Sequence, residues 1–101
     1  MAKFITRIEL QYADSDDYEK LHAEMEKEGF EKTIIGDDGQ KFHLPDGEYF
    51  YDKPIHINAY EKDFDAVLNK AIKAANKTNK SFRAITSRTD ALKWHNLRIK
   101  N

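Results

Sequence analysis

Four histidines, His22, His43, His56 and His95, are the side chains most suited to metal binding or proton transfer near neutral pH. Their spacing does not suit a metal centre. They lie far apart, and none belongs to a His-x-His pair or a His-Glu-x-x-His set. Cysteine is absent, which removes thiolate catalysis, disulfides and cysteine-ligated clusters. Neither a metal nor another cofactor is expected. His22 recurs on an apolar helical stripe and reads as a core or boundary histidine. Asp37 and Asp38 could pair as acids or hold magnesium, but the flanking Gly36 and Gly39 make them a turn first. Asp14 follows the first strand pattern, where capping a helix is sufficient reason for it. A carboxylate at that strand tip is also where a metal-dependent nuclease would carry one. Arg7, Arg83, Arg88, Lys41 and His43 make a candidate basic patch, with Tyr49, Phe50, Tyr51 or Trp94 as stacking surfaces for unpaired bases. Glu9 and Glu48 oppose that patch electrostatically. No serine–histidine–acid set, phosphate loop or dinucleotide fingerprint occurs.

The elements that would position these groups fit one domain spanning residues 1–101, since 101 residues leave no room for a second core. A net charge of −1 supplies no global basic field, so any nucleic-acid contact must be local. The N-terminus runs straight into a strand pattern and no long apolar segment follows. This predicts a cytoplasmic protein with neither signal peptide nor membrane span.

From Phe4 to Tyr12 the residues alternate. Phe4, Thr6, Ile8, Leu10 and Tyr12 face one way, and Arg7, Glu9 and Gln11 the other. Asp14 or Ser15 then caps a helix over 15–28, with Tyr18, Leu21, His22 and Met25 on its apolar stripe and Gly29 closing it. A short strand over Phe30–Ile35 meets the turn Gly36-Asp37-Asp38-Gly39, and residues 41–57 read as one broken strand interrupted near Pro45 and Pro54. Asn58 and Glu61 form a candidate capping box for a helix over 59–76, whose stripe runs Tyr60, Phe64, Val67, Leu68, Ala71, Ile72, Ala75. Ser81 to Ser87 alternates again, and the variable tail over 89–101 could form a short third helix. The order predicts an α+β fold: a ferredoxin-like βαββαβ two-layer sandwich, with two helices on one face of a four-stranded antiparallel sheet. Strands one and three would be central, strand four would lie beside strand one, and the face bearing Arg7, Glu9 and Gln11 would stay open.

Two stretches carry a family likeness. They are Phe4-Ile5-Thr6-Arg7-Ile8-Glu9-Leu10 and Asp17-Tyr18-Glu19-x-Leu21-His22-x-x-Met25-x-x-x-Gly29-Phe30. The likeness runs on through Thr33-Ile34-x-Gly36-Asp37-Asp38-Gly39 and His43-Leu44-Pro45-x-x-Glu48-Tyr49. Over roughly residues 4 to 51 the chain resembles small bacterial proteins related to the GhoS-type antitoxin of type V toxin–antitoxin systems. Around Ile55-His56-Ile57 and in the tail it departs from them. The resemblance implies a ferredoxin-like fold and an endoribonuclease that cleaves the messenger RNA of a membrane-lytic toxin. The resemblance assigns no catalytic position; from side-chain chemistry alone, Arg7 and Arg83 are expected to hold phosphate, His43 to transfer a proton, and Asp14 to serve as a base or metal residue. Lys41 and Tyr49 join the two arginines in binding single-stranded or messenger RNA. The alternative is a non-catalytic interaction module that forms a homodimer through its open sheet or an edge strand.

Overall fold

The alternation that opens the chain becomes β1, Lys3–Leu10, with Phe4, Thr6, Ile8 and Leu10 buried and Arg7 and Glu9 exposed. The structure, a computed structural model, describes residues 2–55, 62–89 and 91–100. β1 ends two residues before the sequence pattern does. Tyr12 takes a φ of 52° and is 96% exposed, because here the chain leaves the sheet and turns toward the first helix.

That helix, α1, spans Ser15–Lys27. Asp14 Oδ1 accepts from the Asp17 amide at 3.0 Å, and Asp17 Oδ2 accepts from the Asp14 amide at 3.0 Å. This reciprocal box satisfies two of the free donors of the first turn. The bond from the Asp17 amide also holds the Asp14 carboxyl below its usual range. Asp14→Ala should therefore move the urea midpoint to lower denaturant, and Asp14→Ser, which keeps a capping oxygen, should restore most of it.

The second helix, α2, spans Asp63–Asn76 rather than 59–76. Lys62 before it has extended backbone (φ −87°, ψ 149°) and gives no side-chain cap. The candidate box at Asn58 and Glu61 lies outside the described residues. Ala66, Val67, Ala71, Ala74 and Ala75 form its buried stripe, small side chains that let α2 sit close to its neighbours, whereas Phe64 is 43% exposed. α2 packs on α1, on β1 and on the last strand, β5, Phe82–Thr89. Leu21 and Met25 of α1 join Phe4, Ile8 and Val67 in one core.

β1 is the centre of a three-stranded antiparallel sheet. β5 lies on one side of it and β4, Glu48–Tyr51, on the other. The other two strands, β2 (Thr33–Ile35) and β3 (Lys41–His43), pair with each other as a separate hairpin, Ile34 opposite Phe42. The fold is thus α+β, with two helices and antiparallel sheets of three and two strands. The single broken strand expected over 41–57 is instead two strands in different sheets. Gly47 separates them: its carbonyl accepts from the Ile8 amide at 2.8 Å, and its φ is +82°. The segment leading into the hairpin bridges the larger sheet, Glu31 with Phe50, through two 2.8 Å hydrogen bonds. β4 is only four residues long, closed in by the Gly47 turn and by Pro54, which has no amide hydrogen to donate.

The tail is not the short helix that was expected. Ile99 bridges Phe42, the His43 amide donates to the Arg98 carbonyl at 2.8 Å, and the Lys100 amide donates to the Lys41 carbonyl at 3.0 Å. The end of the chain therefore lies along β3 as a further extended segment, and Trp94 packs on Phe42 with ring centroids 5.4 Å apart. Leu92, Trp94, Leu97 and Ile99 recur at steps of two and three, which no single helical stripe accommodates. Among the described residues, no helix is long and apolar enough to cross a membrane.

Candidate nucleic-acid interface

Strand parity decides which side chains reach the open face of the larger sheet. Arg7 stands opposite Glu48 on β4 and Ile85 on β5, and Glu9 stands opposite Arg83. Arg83 Nη1 and Glu9 Oε1 are 3.9 Å apart in an exposed pair. Arg7 and Arg83 share a shallow, open recess of about 200 Å³ with Glu9 and Ile85. Each arginine faces a carboxylate across the ladder, so this face has little net positive charge. Arg88 has the opposite parity. It turns to the helix side and pairs with Asp63 at the start of α2 at 3.1 Å, so it is not part of the expected patch.

Parity also corrects Tyr49. It pairs in register with Thr6, on the core face of β1, and is 0% exposed. Its ring meets Phe30 edge-on at 6.4 Å and lies 5.7 Å from His22, leaving no face for a base to stack on. Tyr51 is buried in the same way. Asp14 is committed to its cap, and neither recess that holds the other two expected catalytic residues includes it. Arg7 lines one recess and His43 another, so the expected trio of Arg7, His43 and Asp14 does not share a site.

A second basic feature does converge. His22 of α1, Lys32, Lys41 and His43 of the hairpin, Lys53 and the tail's Lys100 line one cleft of about 450 Å³. Glu26 and Glu31 are the carboxylates in its lining. The pairs Lys32–Asp46 and Lys53–Glu31 are both 3.9 Å long and partly exposed, so they neutralise these ammonium groups only weakly.

His22 is the middle member of a three-member chain, between Lys32 and Tyr49. The Lys32 ammonium has only donors, so its 3.1 Å contact makes Nε2 of His22 the acceptor. The ring hydrogen then belongs on Nδ1, which donates to the Tyr49 hydroxyl in a short hydrogen bond. Burial first, and the Lys32 charge second, push the His22 pKa down. Burial pushes the Tyr49 hydroxyl up. A neutral imidazole of defined tautomer therefore borders a lysine-lined cleft, an arrangement able to hold a phosphate and move a proton. Sequence reasoning singled out Lys41 and His43, though in a patch with Arg7, Arg83 and Arg88 that the structure does not form, and it missed His22, Lys32, Lys53 and Lys100 as partners. His22 carried the signature of a core residue, and the lysines are scattered over 69 positions from 32 to 100 with no local motif.

A larger groove, about 670 Å³, runs between the larger sheet and the hairpin with its tail. Ile34, Phe50 and Trp94 form its apolar wall, with Lys3 and Lys93 set against Glu31, Asp37 and Asp52. Its mixed charge suits phosphate less well than the lysine cleft does. The chain matches no family model, no curated protein and no solved structure.

Proposed function

We propose that this protein binds single-stranded RNA through the lysine- and histidine-lined cleft and acts as an RNA-cleaving antitoxin of the GhoS type on toxin messenger RNA. The observation that carries the reading is the convergence of four lysines and two histidines from α1, the hairpin, the stretch after β4 and the tail. Phosphodiester backbones are held by such ammonium groups, and histidine is the usual group for proton transfer at neutral pH. The chain order also suits a ferredoxin-like sandwich, in which the segment around Glu31 takes the fourth strand position beside β4. The working compartment on this reading is the cytoplasm.

The test is fluorescence anisotropy with labelled single-stranded RNA across a salt series. The Lys32→Ala, Lys41→Ala double variant should weaken binding roughly tenfold and lower the slope of log affinity against log salt by about 1.4, at about 0.7 per lost phosphate contact. Arg83→Ala, already opposed by Glu9, should change little. An unchanged salt slope in the double variant would remove the cleft as the binding site. The outer edge of β5 favours a second reading, a homodimerising module: β5 pairs only with β1 among the described residues, and Ile85 is 63% exposed beside that edge. Concentration-dependent sedimentation with no RNA binding would select it.

A further inference from the structure

Resting on the RNA reading of the cleft, we propose that His22 and His43 cleave the strand as general base and general acid, with Lys32 on the scissile phosphate, leaving a 2′,3′-cyclic phosphate end. Both imidazoles line the same cleft but come from different elements. His43 is the cross-strand partner of Thr33, and the adjacent Lys32 accepts the Leu44 amide at its carbonyl, 2.8 Å away. The hairpin thus holds the His43 backbone one ladder step from Lys32, whose ammonium contacts His22 Nε2 at 3.1 Å, and all three side chains line the cleft.

The three-member chain prepares His22 for this role. Donation from Nδ1 to the Tyr49 hydroxyl leaves the Nε2 lone pair as the basic site. In the free protein that lone pair accepts from Lys32. An entering phosphodiester offers the ammonium a negatively charged acceptor instead, so Lys32 turns onto a non-bridging oxygen and releases Nε2. Nε2 then takes the proton of the ribose 2′-hydroxyl as the 2′-oxygen bonds to phosphorus. The bond from phosphorus to the 5′-oxygen breaks, and the His43 imidazolium gives that oxygen its proton. The products are a 2′,3′-cyclic phosphate and a 5′-hydroxyl, and no further reactant is needed. Lys32 and Lys41 stabilise the extra negative charge at phosphorus in the transition state. Burial keeps His22 neutral and ready to accept a proton. The 2′-hydroxyl requirement makes the substrate RNA and not DNA.

The experiment uses the full chain with a short labelled single-stranded RNA, mass spectrometry of the ends, and anisotropy with a 2′-O-methyl strand that cannot react. Cyclic phosphate and 5′-hydroxyl ends are expected. His22→Gln and His43→Gln should each lower the single-turnover rate roughly 10²–10⁴-fold while affinity for the 2′-O-methyl strand stays within about twofold. His43 is only partly buried, so its variant tests the chemistry even if His22→Gln perturbs folding. Ends carrying 5′-phosphate and 3′-hydroxyl, or cleavage next to a 2′-deoxyribose, would overturn the two-histidine assignment. Binding of the 2′-O-methyl strand without cleavage of the RNA would overturn it too, leaving the RNA-binding reading intact. Absence of binding would overturn both.

Discussion

Gly47→Ala is expected to destabilise the fold by about 3 kcal/mol, the largest effect of any glycine substitution in the chain. Two causes add. The φ of +82° places residue 47 in the left-handed region, where a side chain costs about 1–2 kcal/mol. A Cβ there would also stand 2.6 Å from the Ile8 carbonyl oxygen, a backbone atom of the central strand that cannot rotate away. The same residue's carbonyl accepts from the Ile8 amide at 2.8 Å, so relieving the clash means pulling the turn off β1. Gly39→Ala is the control. Its φ is +84°, yet nothing lies within 4 Å of its would-be Cβ, so it should cost only the conformational share, about 1–2 kcal/mol. Urea denaturation of both variants measures the difference, and equal losses would show that close approach to Ile8 contributes nothing.

Tyr49→Ala is expected to cost about 3–5 kcal/mol, in the range for removing a fully buried aromatic side chain. The ring is 0% exposed and is shared among β4, Phe30 and His22. Tyr49→Phe separates the ring from its hydroxyl. It keeps the packing and leaves His22 Nδ1–H without its acceptor, so about 1 kcal/mol should be lost. A loss in Tyr49→Phe as large as in Tyr49→Ala would mean that the hydrogen bond, not the ring, holds this part of the core.

The Tyr49–His22 contact also sets a pH window for stability. Tyr49 loses its proton near 10.0 when unfolded but holds it to higher pH when folded, because burial opposes the charged form. Its contribution is therefore complete below about pH 10 and is lost as pH rises above that. His22 has the opposite sign. Its folded pKa is depressed below the ordinary 6.5, so the unfolded chain takes up the proton first and stability falls as pH drops below about 6.5. Denaturation midpoints should plateau between these limits, and Tyr49→Phe should flatten the alkaline side. Tyr51, also pushed up by burial, would account for whatever alkaline slope remains.

Much of the framework was legible in the residues alone because it depends on local periodicity. The alternation of Phe4 to Leu10, the Asp14 cap, the stripe of α1 and the Asp37-Asp38-Gly39 turn each need only a few neighbouring side chains to be specified. So did the polarity of the face carrying Arg7 and Glu9. Contacts across the chain decided the rest. Tyr49, Phe50 and Tyr51 are three aromatics in a row, with no polar alternation to say which belong inside; pairing Tyr49 with Thr6 buried it and removed it from any binding surface. The tail has no helical stripe, and the free edge of β3 drew it out straight, which brought Lys100 to Lys41 and His43. His22 looked like a core residue and is half of one: its ring is tied inward to Tyr49 and outward to Lys32. Periodicity in a sequence says which face of an element is apolar. Only the closing of α1, the hairpin and the tail around one space could turn dispersed lysines into a cleft, because that convergence is set by packing between distant segments and leaves no spacing to read.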